Sequence, residues 1–298
     1  MKLDGRREST NVDDRRRGGT TKKAGVGIGG LLIAAVIAYV SSGGDWGQVA
    51  SSVITTAQQS QTTEVTSNGY EPTAEEEELA TFTKKILAGT EDVWTEEFEK
   101  MGKTYEAPGL VLFHGDVTSA CGQANSSTGP FYCSGDQKVY IDLEFFTTMK
   151  SQFGADGDFC YAYVIAHEVG HHVQYLLGTL TTAHQMMNQM SETESNKVSV
   201  RLELQADFYA GVWANHDNAK FSSLEEGDID EGLAIAAKIG DDYLQKQAYG
   251  YTVPESFNHG TSDQRSRWLK KGVTGGNMSD GYALIDPDGN MKLSESNF

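Results

Sequence analysis

The chain has 298 residues, 38% of them hydrophobic, with 42 acidic against 24 basic side chains and a formal net charge of -18. That is enough apolar material for one large or two modest domains with a real core. It is too acidic for a nucleic-acid partner, because binding to phosphates needs a dense Lys/Arg face that displaces counterions.

The charge is unevenly spread. Arg6, Arg7, Arg15, Arg16, Arg17, Lys22 and Lys23 crowd the first 23 residues, and an uncharged run, AGVGIGGLLIAAVIAYV, follows at 24–40. Its length is at the short end for a transmembrane helix, and the bases before it predict a single-pass, uncleaved anchor. On that expectation 1–23 is a basic cytoplasmic segment and everything after the anchor lies outside the cytoplasm. Residues 41–70, rich in Ser, Thr, Gln and Gly, read as a flexible linker. A soluble domain is expected over 71–298.

Within that domain Thr73 and Glu76 form a capping box that starts a helix running to Leu87, and a second short helix fits 91–101. The period then changes. GLVLFHG at 109–115 and KVYIDLEFF at 138–146 carry β-branched and aromatic residues between turn-formers, which predicts two strands. An exposed edge in the second would accept an extended peptide as an added strand. Between them Cys121 and Cys133 bracket a Gly/Ser/Asn-rich loop, so they either form a disulfide in an oxidising compartment or stay as two thiols. Cys160 is left over as a small core residue. Helical periodicity dominates from Phe159 onward, with helices expected to near Gly178, over 195–214, over 228–247 and over 259–272, the last capped by Thr261 or Ser262. The tail after Gly272 is turn-rich and weakly determined.

The chemistry concentrates in AYVIAHEVGHHVQYLLG, residues 162–178. His167 and His171 are four apart, so on a helix they project from one face a turn from each other and can share one Zn²⁺. Glu168 is rotated toward where an activated water would sit and can take that water's proton and hand it to a leaving amine. A catalytic zinc needs a third protein ligand. Glu203 and Asp207, in RLELQADFYAGVWA, are also four apart on a predicted helix beside the small residues Ala206, Ala210 and Gly211. Glu203 is the candidate third ligand, and Asp207 is placed to accept the spare N–H of a ligand imidazole. His172 points about 100° away from His171. His114, His184, His216 and Glu194 are expected at the surface or at caps. His259, near Arg265 in sequence, is a candidate contact to the substrate or to the oxyanion of a transition state.

Taken together, KLDGRREST, the apolar run, CGQANSSTGPFYC, KVYIDLEFF, YVIAHEVGHHVQ, ELQADFYAGVWA and HGTSDQRSRWLKKG resemble the bacterial YpfJ-like family of neutral zinc metallopeptidases, from residue 2 to about 272. The resemblance implies that His167 and His171 bind the metal, that Glu168 is the catalytic glutamate, and that Glu203 and Asp207 follow a gluzincin-like E-x-x-x-D pattern. It implies a zincin-like α+β fold, mainly helical, with a small β-sheet beside the active-site helix. The expected protein is a membrane-anchored, extracytoplasmic peptidase with one zinc ion, acting on a peptide or protein substrate. A zinc-binding envelope protein that holds extended segments without hydrolysing them is the alternative.

Overall fold

The computed structural model describes residues 1–17 and 70–298. The expected membrane span at 24–40 and nearly all of the linker lie outside the described residues. Among those described, no helix is long and apolar enough to cross a membrane.

The first segment, read from the sequence as separate from the domain, is built into it. Strand β1 (Val12–Asp14) pairs in parallel with β2 (Gly109–Phe113), which pairs in parallel with β6 (Lys138–Asp142); β5 (Phe131–Cys133) closes the sheet antiparallel to β6. The order is therefore β1-β2-β6-β5. A small hairpin of β3 (Val117–Ser119) and β4 (Gly122–Ala124) stands beside it. Side chains alternate across the central strands. Leu110, Leu112, Val139 and Ile141 enter the main core under the helices, while Val111, Phe113 and Tyr140 pack with Val117 and Cys133 on the opposite face. Cys121 and Cys133 form a disulfide, and Cys160 is buried and free.

Two sequence expectations change here. The strand at 138–142 has partners on both sides, so it is interior, and the edge belongs to β5, whose three residues are too few to show a strand period. Its predicted continuation through 146 is instead the start of helix α2 (Glu144–Phe153), where Asp142 accepts the Glu144 N–H at 3.0 Å.

The other helices are α1 (Ala74–Lys100), α3 (Asp158–Leu177), α4 (Thr179–Met187), α5 (Glu192–Phe221), α6 (Asp228–Lys238), α7 (Asp241–Tyr249) and α8 (Ser262–Gly275). α1 starts at the predicted Thr73/Glu76 capping box but runs unbroken through Gly89. That glycine serves packing: a Cβ there would lie 2.8 Å from Arg6 Nη2 and 2.9 Å from Asp217 Oδ1. The single helix expected over 228–247 breaks at Gly240, where a Cβ would come within 2.3 Å of the Ser262 nitrogen at the start of α8. α8 begins at Thr261, with Gln264 completing its capping box. The tail folds back onto α5. Arg201 donates to the carbonyls of Leu284 and Leu293, its guanidinium lies over the Phe298 ring, and Gln205 donates to those of Gly281 and Ile285.

Candidate metal centre

Helices α3 and α5 cross at their small residues. A Cβ on Gly170 would sit 3.0–3.1 Å from backbone atoms of Ala206, so a side chain at the glycine of HEVGH would force the helices apart. The close approach brings Glu203, three residues before Ala206, opposite His167 and His171. Glu203 Oε2 is 3.2 Å from His167 Nε2 and Oε1 is 3.4 Å from His171 Nε2. Potential ligand atoms of the three residues lie within 4.8 Å of one another.

Both imidazoles are oriented from behind. His167 Nδ1 is 2.8 Å from Asp207 Oδ1. That carboxylate also accepts from Tyr163 Oη at 2.5 Å and from Arg265, through Nε at 2.9 Å and Nη2 at 2.9 Å. His171 Nδ1 is 2.9 Å from Gln174 Oε1, and the Gln174 amide is turned that way because its nitrogen donates to Leu202 O at 2.7 Å. Each Nδ1 thus faces an acceptor and carries a proton, which leaves both Nε2 atoms facing the Glu203 carboxylate. Positive charge is needed between them, either a proton on an imidazole or a metal ion; with the metal the donor set is two neutral imidazoles and one carboxylate.

The electrostatics ask for positive charge at the same place. Burial would lower the His167 imidazole, but Asp207 and Glu203 outweigh it and lift it to about 10. Burial would raise the Glu203 carboxyl, but the imidazoles of His171, His167 and His259 hold it well below the usual carboxylate range. Asp207 is likewise pushed up by burial and brought down to about 2, chiefly by Arg265. This pocket therefore holds Glu203 and Asp207 ionised and calls for a cation. Burial raises Glu168 to about 7, with the charge of Glu203 adding; His167, Arg265 and the Tyr132 backbone N–H oppose the rise. A carboxylate of that strength beside the ligand pair can both accept and return a proton near neutral pH.

His172, expected off the ligand face, is wholly buried. Its Nε2 lies 2.6 Å from the Glu106 carbonyl, which only accepts, so Nε2 carries the proton and Nδ1 accepts from Tyr132 Oη at 2.9 Å. This bond fastens edge strand β5 to α3. His259 is half-exposed, with Nδ1 3.2 Å from Asp241 Oδ1. Asp241 Oδ2 also accepts the backbone N–H groups of Asn258, His259 and Gly260, so one carboxylate fixes both the turn and the ring. His114 stacks on Tyr70, His184 is exposed on α4, and His216 donates to Gly276 O at 2.7 Å.

Sequence reasoning missed Tyr132, Tyr163 and Gln174, and named Arg265 only as a neighbour of His259. Gln174 had a visible signal, since it follows His171 by three and so shares its face. Tyr163 had the same kind of signal, lying four residues before His167 on α3, whereas Tyr132 and Arg265 reach the site from β5 and α8.

A family model described as "Putative neutral zinc metallopeptidase" matches residues 1–283. The chain is 46% identical over 286 residues to the uncharacterized protein YpfJ of Escherichia coli, covering 93% of this chain and 96% of that one. It is 41% identical over 194 residues to an uncharacterized protein of Mycobacterium bovis, covering 61% and 64%. No solved structure matches.

Proposed function

The chain belongs to the neutral zinc metallopeptidase family, and from that premise we propose that it is a zinc-dependent peptidase acting on extended segments of peptide or protein. The observation that carries the reading is the convergence of His167 Nε2, His171 Nε2 and the Glu203 carboxylate, the two imidazoles held from behind by Asp207 and Gln174, with Glu168 beside them. Zinc bound there supplies Lewis acidity toward a substrate carbonyl and lowers the pKa of water toward neutrality.

The chain's own groups do the rest. His167, His171 and Glu203 hold the ion, and Asp207, Arg265 and Gln174 keep the imidazoles in the tautomer that binds it. Glu168 takes a proton from the attacking water and passes it to the leaving amine nitrogen. Strand β5, paired with β6 on one side, turns its other edge toward α3 and can add a substrate strand through main-chain hydrogen bonds. Such bonds require an extended backbone and ask little of its sequence. Partial burial would lower the pKa of His259, but the charge of Asp241, which fixes the ring, raises it, so His259 donates from Nε2 as an imidazolium to the oxygen that gains charge in the transition state. The Cys121–Cys133 disulfide supports work in an oxidising space outside the cytoplasm.

The test is hydrolysis of an unfolded protein by the full chain, with and without chelator, and by Glu168→Gln. Activity that needs the metal and is lost in Glu168→Gln supports the proposal. Zinc binding with no cleavage in any condition would instead favour a protein that only holds extended segments.

A further inference from the structure

We propose that residues 1–17 and the peptidase domain lie on the same side of any membrane the chain meets. Three sets of contacts carry this, and none depends on the metal site.

First, the N-terminal segment is a main-chain member of the sheet. Val12, Asp13 and Asp14 stand in register with Leu110, Val111 and Leu112. Leu110 N donates to Asn11 O at 2.8 Å and Arg15 N to Leu112 O at 2.8 Å, while Ser9 N donates to Lys84 O at 3.0 Å. Hydrogen bonds reach about 3 Å, whereas the hydrocarbon layer of a bilayer is about 30 Å thick, so these bonds and a single crossing exclude each other.

Second, the domain is incomplete without the segment's charges. Asp217, whose side chain is 1% exposed, pairs with Arg6 at 2.7 Å, and Gly89 leaves the space that the guanidinium fills. Buried Glu91 is met by Arg7 at 2.8 Å, Ser9 Oγ at 2.5 Å and Asn11 Nδ2 at 2.9 Å. With the segment across a membrane, both carboxylates would lose these partners, a strongly unfavourable state. Arg16 is itself 2% exposed and binds Asp14 and Glu77.

Third, the two ends of the stretch 18–69 meet at one place. Arg16 Nη1 donates to Glu76 O at 3.3 Å and Arg17 Nη2 to Glu77 Oε1 at 2.6 Å, so the described residues before and after that stretch lie together at the first turn of α1. They are therefore on one side. Arg6, Arg7, Arg16 and Arg17 are thus structural counter-ions for the domain and do not by themselves mark a cytoplasmic flank.

The experiment places one cysteine on each part of the full-length protein in intact cells: Thr10→Cys in the first segment and Tyr251→Cys on the domain, both exposed positions. Cys160 is buried and Cys121 and Cys133 are bonded, so the parent chain gives the background. Each variant is treated with a membrane-impermeant maleimide before and after permeabilisation, and retention of the disulfide confirms folding. The expected result is one behaviour for both sites, either labelled in intact cells or protected until permeabilisation. Labelling of one with protection of the other overturns the proposal. Protection of both would leave it standing while refuting the extracytoplasmic placement, and neither result depends on peptidase activity.

Discussion

His172 is buried as a neutral imidazole, and this makes the fold sensitive to acid in a calculable way. Burial lowers the imidazole from its ordinary 6.5 to about 4, against a smaller opposing effect of its bond to the Glu106 carbonyl. Between those values the unfolded chain binds a proton that the folded chain refuses. The stabilisation is therefore complete above about pH 6.5 and is lost as pH falls through 4. A difference of about 2.5 pH units, at about 1.4 kcal/mol each, gives roughly 3 kcal/mol. His172→Gln keeps a donor for Glu106 O and cannot titrate. Losing the Tyr132 bond should cost it about 1–3 kcal/mol at pH 7.5, because that hydroxyl is left without its partner. Urea unfolding of both proteins from pH 7.5 to 4 is the assay, and the subtraction cancels the carboxylates common to the two. The wild-type curve should fall more steeply, so that the gap closes or reverses by pH 4. Parallel curves would refute the reasoning, and would mean that His172 charges in the folded state without cost.

The remaining predictions concern the site and the packing around it. Glu168→Gln should bind zinc as tightly as wild type while peptide hydrolysis falls by about 10²–10⁴-fold, read by metal titration and a cleavage assay on one preparation. Asp207→Asn should weaken zinc binding by about 10–100-fold, because the imidazole–carboxylate pair that fixes His167 is lost; chelator competition measures this. Gly89→Ala, which gains helix propensity in the middle of α1, should nevertheless destabilise by about 2–4 kcal/mol, since the new methyl displaces Arg6 from Asp217. Denaturant unfolding checks it, and a stabilised variant would show that Arg6 does not need that space.

Much of the site was legible because it depends on a local rule. Four-residue spacing on a helix puts His167 with His171 and Glu203 with Asp207, and the small residues near Glu203 suggested a close helix crossing. Where the crossing happens is a matter of pairs: Gly170 meets Ala206, whereas Gly211 packs against Gly272 of α8. The fold failed to read through where long-range packing overrides local preference. Gly89 and Gly240 look alike as helix breakers, yet one admits a guanidinium from residue 6 and only the other ends a helix. EFFTTMKSQF has the β-branched and aromatic content of a strand and forms α2, whose first N–H is accepted by Asp142. The edge strand was misplaced because sheet order is set by partners far apart in sequence, here Phe131 with Tyr140 and Val12 with Leu110. For the same reason the pairing of the basic N-terminus with the domain did not read through. Nothing local shows that Asp217, some 200 residues away, is the partner of Arg6.

Metal content measured alongside the ligand variants tests the centre most directly. The full chain should carry one zinc per molecule, and Glu203→Ala should lose both the metal at wild-type affinity and the hydrolysis, while retaining its thermal unfolding transition. A Glu203→Ala protein that keeps its zinc and its activity would contradict the assignment of the third ligand, and with it the peptidase mechanism.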